Sequence, residues 1–195
     1  NVGWTRPTGS MRGNGFAWGQ LSHLLAWVLQ ITGLRPVDVA CTMVFSPNSG
    51  ADMHDAAVFS CENGASISLT GTGAVPGNAH GDDSDESHPH SGKHVSVRVF
   101  GSEGSLVYEG DDQDPSSGDL VALTRSGSRK VEPGFLFENY EDTGTGPESV
   151  QAFVKACRGL EHFRGIDAEI GLDVVRCIAA MYASATAGGQ RVALE

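Results

Sequence analysis

Two apolar periods alternate along the chain, and each change of period marks a change of element. Residues 13–33, GNGFAWGQLSHLLAWVLQITG, carry the helical period. On a 3.6-residue wheel Leu21, Leu24, Leu25 and Val28 share one stripe, while Gln20, His23 and Trp27 share another. After Pro36 the period drops to two: VDVACTMVF places Val37, Val39, Cys41, Met43 and Phe45 on one side of a strand. Two further β-rich runs meet at Glu62-Asn63-Gly64, a strong hairpin signal because Asn and Gly both tolerate positive φ. The second run turns Ser66, Ser68, Thr70 and Thr72 to one face, opposite Ile67 and Leu69.

Residues 76–93, PGNAHGDDSDESHPHSGK, have no apolar period and are expected to form a mobile acidic loop. HVSVRVFG, SLVYEG, DLVALTRSG and SRKVEP then follow as short strands at hairpin spacing. From Pro147 the helical period returns in PESVQAFVKACRGL and again in AEIGLDVVRCIAAMYASATAG, which Gly188-Gly189 ends. Strands segregated from helices predict an α+β fold. The expected architecture is an open, predominantly antiparallel or mixed sheet covered by helices on one face. The order is not a βαβ repeat.

Composition narrows the partners. With 13 Lys+Arg against 24 Asp+Glu, the formal charge is −11, so no basic patch recommends nucleic acid or an anionic membrane. No apolar run is long enough to span a bilayer, and no secretory signal opens the chain. Cys41, Cys61, Cys157 and Cys177 are widely spaced in apolar segments, which suits small buried thiols in a reducing compartment; the cytoplasm is the expected location. NVGWTRPTG is loop-like and lacks an initiator Met, so the chain is expected to be a piece of a longer protein.

Few residues offer chemistry. GSEGS (101–105) lies between strands, and GTGP (144–147) lacks GxGxxG, so no dinucleotide fingerprint is present and no cofactor is expected on this chain. His80, His88, His90 and His94, with the acidic residues between them, could tempt a metal. The Gly, Ser and Pro of that stretch favour a solvated loop over a fixed ligand set, so no metal site is expected; weak adventitious metal binding or a substrate-lid role is the alternative. His54 and His162 read as surface or strand-end histidines. His23 is the best candidate. It is either an ordinary helix-surface histidine or a proton acceptor for a substrate hydroxyl, beside Gln20 near a helix start.

Several stretches taken together resemble the carboxy-terminal domain of the Gfo/Idh/MocA family of NAD(P)-dependent sugar and polyol oxidoreductases. GNGFAWGQLSHLLAWVLQITGLRPVDV is similar to that family's glycine-opened helix, its histidine, its closing TG-x-x-P and the next strand. VRVFGSEGSLVYEG resembles its strand–GxxG–strand hairpin; GPESVQAFVKACRG and GLDVVRCIAAMYASATAGGQRVAL resemble its last helices and final strand. The resemblance runs from about residue 13 to 194. It implies that residues 1–195 form one substrate-binding and dimerisation domain of a two-domain protein. NAD or NADP would be bound by an amino-terminal Rossmann domain of the same polypeptide. It implies His23 as catalytic residue, Gln20, Trp18 and Arg12 as substrate-lining residues, and a sugar or polyol as substrate. A homo-oligomer through the sheet face is also implied. The family's helix carries an Asp one turn before its His, and here that position is Gly19. A non-catalytic ligand-binding or assembly domain is therefore the alternative.

Overall fold

The computed structural model describes residues 15–73, 94–111, 118–133, 147–162 and 165–195. They form two compact units, residues 1–74 with 163–195, and residues 75–162. The fold is α+β, as the periods predict, with its strands divided between two four-stranded antiparallel sheets. The histidine-rich loop over 76–93 lies outside the described residues, as do residues 144–146 of GTGP.

The first unit opens on a π-helical turn (Ala17–Leu21) that runs directly into α1 (Ser22–Thr32). Three strands follow, β1 (Pro36–Phe45), β2 (Asp52–Cys61) and β3 (Ser66–Thr72). Gly33 ends α1 at φ 63°, a left-handed cap that returns its N–H to the Leu29 carbonyl at 2.9 Å. The β2–β3 hairpin is closed by four residues, 62–65. Only Gly64 takes positive φ there (82°); Asn63 instead accepts the Ala65 N–H on its side-chain oxygen at 3.0 Å. The turn is thus one residue longer than the Glu62-Asn63-Gly64 link read from the sequence.

In the second unit, β4 (His94–Gly101), β5 (Gly104–Asp111), β6 (Asp119–Thr124) and β7 (Gly127–Pro133) form a meander, with α2 (Pro147–Cys157) in the same unit. α2 keeps its helical span, but Val150, Phe153 and Val154 are exposed. Cys157 is exposed too, contrary to the expectation of a buried thiol, because it ends α2 rather than lying on a packed face.

The chain returns to the first unit through α3 (Ala168–Thr186) and β8 (Val192–Ala193), giving the sheet order β3-β2-β1-β8. Asp167 caps α3 by accepting the Ile170 N–H at 2.9 Å. Both helices pack their apolar stripes on one sheet face: Leu21, Leu25 and Leu29 from the first, Val174, Cys177, Ile178 and Met181 from the last. The strands answer with Val39, Cys41, Ala57, Phe59, Ile67 and Leu69. Leu24 and Val28 border this core, and Ser66, Ser68, Thr70 and Thr72 face outward, as the alternation requires. β8 covers the edge of β1 for only two residues. Beyond it, buried Ser184 accepts the Cys41 N–H at 2.8 Å and donates to the Gln190 carbonyl at 2.6 Å. One hydroxyl therefore ties α3 to both the sheet and the final turn. Among the described residues, no helix is long and apolar enough to cross a membrane.

Candidate functional site

The polar features of the first unit gather at the start of the first helix. The Ser22 N–H reaches back five residues to the Ala17 carbonyl, which makes the turn π rather than α. Such a turn rotates the residues before it relative to the helix that follows. The uniform wheel drawn from sequence therefore misplaces residues 17–20. Ala17 is fully buried, while Trp18, Gly19 and Gln20 are half-buried. His23 projects as an exposed residue from the first turn of α1, and Trp27 is half-buried one turn on. Arg12 lies outside the described residues.

A β-bulge supplies the anchor for this turn. Val44 faces His54 across the β1–β2 ladder, and the next β1 residue, Phe45, faces Asp52, so Met53 is an extra residue in β2. Without the bulge, Asp52 and Asp55 would point to opposite faces. With it, both are buried on the helix-covered face, at 3% and 4% exposure, and His54 between them points outward. Asp52 accepts the Ala17 N–H at 2.6 Å on one oxygen and the Tyr182 hydroxyl on the other. Gly15 comes so close to Asp52 that a Cβ there would overlap the carboxylate. The Phe16 ring lies over Gly71 and Gly73 of the β3 end, where a Cβ on Gly71 would meet the ring.

Tyr182 links the pieces. Its ring stacks on Trp18 with centroids 6.4 Å apart and planes 18° from parallel, and Phe45 lies 6.4 Å away on a tilt. Burial and the Asp52 carboxylate raise its hydroxyl pKa, so it remains a donor. Asp55 stands beside Asp52, and apart from that carboxyl neither of its oxygens has a hydrogen-bond partner. Burial first, and then the neighbouring Asp52, push its pKa up to about 8. Cys41 is likewise pushed up to about 12 by burial and the two carboxyls, and Cys177 to about 12 chiefly by burial. Neither is a ready nucleophile.

Of the predicted residues, the structure brings Trp18, Gln20 and His23 to one helix start. Gly19 offers no carboxylate one turn before His23, and its N–H bonds the Gly15 carbonyl at 3.0 Å. Asp52, Asp55 and Tyr182 are the residues that sequence reasoning missed. His54 is exposed and lies 2.6 Å from the Thr72 hydroxyl, while half-exposed His162 lies 2.9 Å from the Leu160 carbonyl; both are the ordinary histidines expected.

No curated protein matches the chain in sequence. Solved structures do match it in fold. One is aldose-aldose oxidoreductase from Caulobacter crescentus, complexed with glycerol, at a TM-score of 0.65 and 16% identity over 93% of this chain and 48% of that one. A second is an inositol dehydrogenase homolog from Azotobacter vinelandii, complexed with NADH and myo-inositol, at 0.57 and 18% over 88% and 48%. A third is an oxidoreductase from Agrobacterium radiobacter, in complex with NAD+, L-tartaric acid and magnesium, at 0.59 and 15% over 90% and 48%. The chain spans about half the length of these proteins. The model of the GFO/IDH/MocA C-terminal domain matches residues 3–107, which include the π turn, α1, the bulged β2 and β4 with the start of β5. This chain belongs to the GFO/IDH/MocA C-terminal domain family.

Proposed function

We propose that this chain is the substrate-binding and oligomerisation domain of an NAD(P)-dependent oxidoreductase acting on a sugar, polyol or related hydroxy compound. The observation that carries the reading is the family match across the helix that presents His23. The three oxidoreductases cited, of similar fold, were solved with glycerol, myo-inositol or L-tartaric acid, all polyhydroxylated.

The fold supports a division of labour. Every strand pairing described here is antiparallel, so the parallel strand–turn–helix unit that cradles a dinucleotide does not fit these residues. NAD or NADP belongs to a Rossmann domain of the same polypeptide, and it supplies the hydride chemistry. This chain contributes binding and proton handling. His23 accepts the proton of the reacting hydroxyl on its imidazole, Gln20 donates to or accepts from neighbouring hydroxyls, and Trp18 provides a flat apolar wall, with Arg12 as a further substrate-binding residue. Trp18 is suited to that part because its stacking on Tyr182 holds the indole still.

The outer sheet face is the oligomerisation surface. Ser66, Ser68, Thr70 and Thr72 are short, and exposed Val58 sits between Ala40 and Ser68 on the neighbouring strands. A second sheet can lie close on such a face. A cytoplasmic setting matches the four free cysteines.

Gly19 favours a second reading, a ligand-binding or assembly domain without catalysis, since no carboxylate stands one turn before His23. The two separate on the intact protein supplied with NAD or NADP and a panel of aldoses, inositols and hydroxy acids. Reduction of nicotinamide that saturates with one of them supports the oxidoreductase. Saturable binding of the same compounds with no reduction supports the second reading.

A further inference from the structure

We propose that the Asp52–Asp55 pair carries a single proton and works as a pH-sensitive latch, fixing the turn that bears Trp18 and Gln20 onto α3. The geometry comes from the bulge at Met53, which turns both carboxyls to the buried face. Asp52 uses one oxygen to hold the Ala17 N–H and the other to hold Tyr182, so it is the unprotonated member and spans from the π turn to α3. Asp55 is 4% exposed, and apart from the neighbouring Asp52 carboxyl neither of its oxygens has a hydrogen-bond partner.

Among the described residues, the surroundings offer Asp55 no counter-charge. Cys41 faces the pair from β1, Tyr182 from α3 and Asp52 from its own strand. β3 sets Gly71 opposite Asp55, and the π turn contributes no titratable side chain. A second anion buried beside Asp52 without a cation is heavily penalised, so the proton stays on Asp55. Burial and Asp52 both raise its pKa, in agreement with the contacts.

Loss of that proton to solvent places two carboxylates side by side in the interior. The cheapest relief is for Asp52 to give up Ala17 and Tyr182, which frees the turn carrying Trp18 and Gln20. The latch is closed at lower pH and opens as pH rises. It does not depend on the reaction proposed above, and its readouts do not require turnover.

The test is a carboxyl ¹³C titration of the protein by NMR, combined with amide exchange at Ala17. We expect one aspartate resonance to titrate far above the ordinary value near 3.9. Across the same transition, Ala17 protection should fall at least about tenfold beyond the intrinsic pH dependence of exchange, the equivalent of one decade in the opening equilibrium. Asp55→Asn should keep Ala17 protected and abolish the transition. The wild-type titration stands without that variant. The proposal is overturned if both aspartates titrate in the ordinary range. It is equally overturned if a high-titrating carboxyl leaves Ala17 unmoved, or if Asp55→Asn leaves its profile unchanged.

Discussion

At the scale of single residues, Asp55 shows how far period alone can reach. It shares its parity with Ala57, Phe59 and Cys61, so strict alternation already places a carboxyl on an apolar stripe. Asp52 has the opposite parity, and only the Met53 bulge brings it inward. Nothing in a single sequence announces such a bulge, and the pair was therefore half legible. Its pH signature has a definite sign. The folded chain holds the Asp55 proton up to about 8, whereas an unfolded aspartate releases it near 3.9. Stability from this group is complete at acid pH, declines through that window, and is gone above it. Asp55→Asn should thus gain on the wild type by more than about 1 kcal/mol between about pH 5 and pH 8. Urea unfolding at the two pH values checks this; parallel losses in both proteins would refute it. Gly19 makes a second prediction. A carboxylate placed one turn before His23 by Gly19→Asp should raise turnover several-fold if the imidazole is the base, since a carboxylate partner strengthens it. Steady-state kinetics of the intact protein decide.

Among the elements, the long periodic ones were plain and the joints between them were not. α1, α3 and the hairpin strands follow their apolar periods. The π turn escaped because a helical wheel assumes one uniform twist, and here the Ala17–Asp52 bond and the buried Ala17 fix a wider turn. The division of the strands into two sheets escaped because each hairpin is local, while sheet membership is a long-range fact. Ser184 is another long-range feature, a polar residue at a core position of α3. Ser184→Ala removes the acceptor for the buried Cys41 N–H and should cost roughly 1–3 kcal/mol, the usual penalty for a buried group left without a partner. Thermal or chemical unfolding measures it, and a loss below about 0.5 kcal/mol would show that the bond is dispensable.

On the scale of the whole molecule, the family match accounts for the fold of the described residues. The chain spans about half the length of the oxidoreductases whose fold it shares, and its described strands form antiparallel sheets. The outer sheet face then has two possible surroundings, solvent or a second copy. Thr70→Arg would plant a charge in the middle of the short-residue face. Sedimentation should show the wild type as an oligomer and the variant shifted toward monomer; a wild type that is monomeric at every concentration would refute the assignment. The central claim, that this domain serves hydride transfer through His23, meets its most direct test in the intact protein. His23→Asn keeps the size of the side chain and some hydrogen bonding but removes the imidazole base. Stability should hardly change, because His23 is exposed and stands off the Leu21, Leu25 and Leu29 stripe. The account predicts a fall in kcat of about 10²–10⁴-fold, with the low-pH limb of the rate profile flattened. An unchanged kcat and an unchanged pH profile would contradict it.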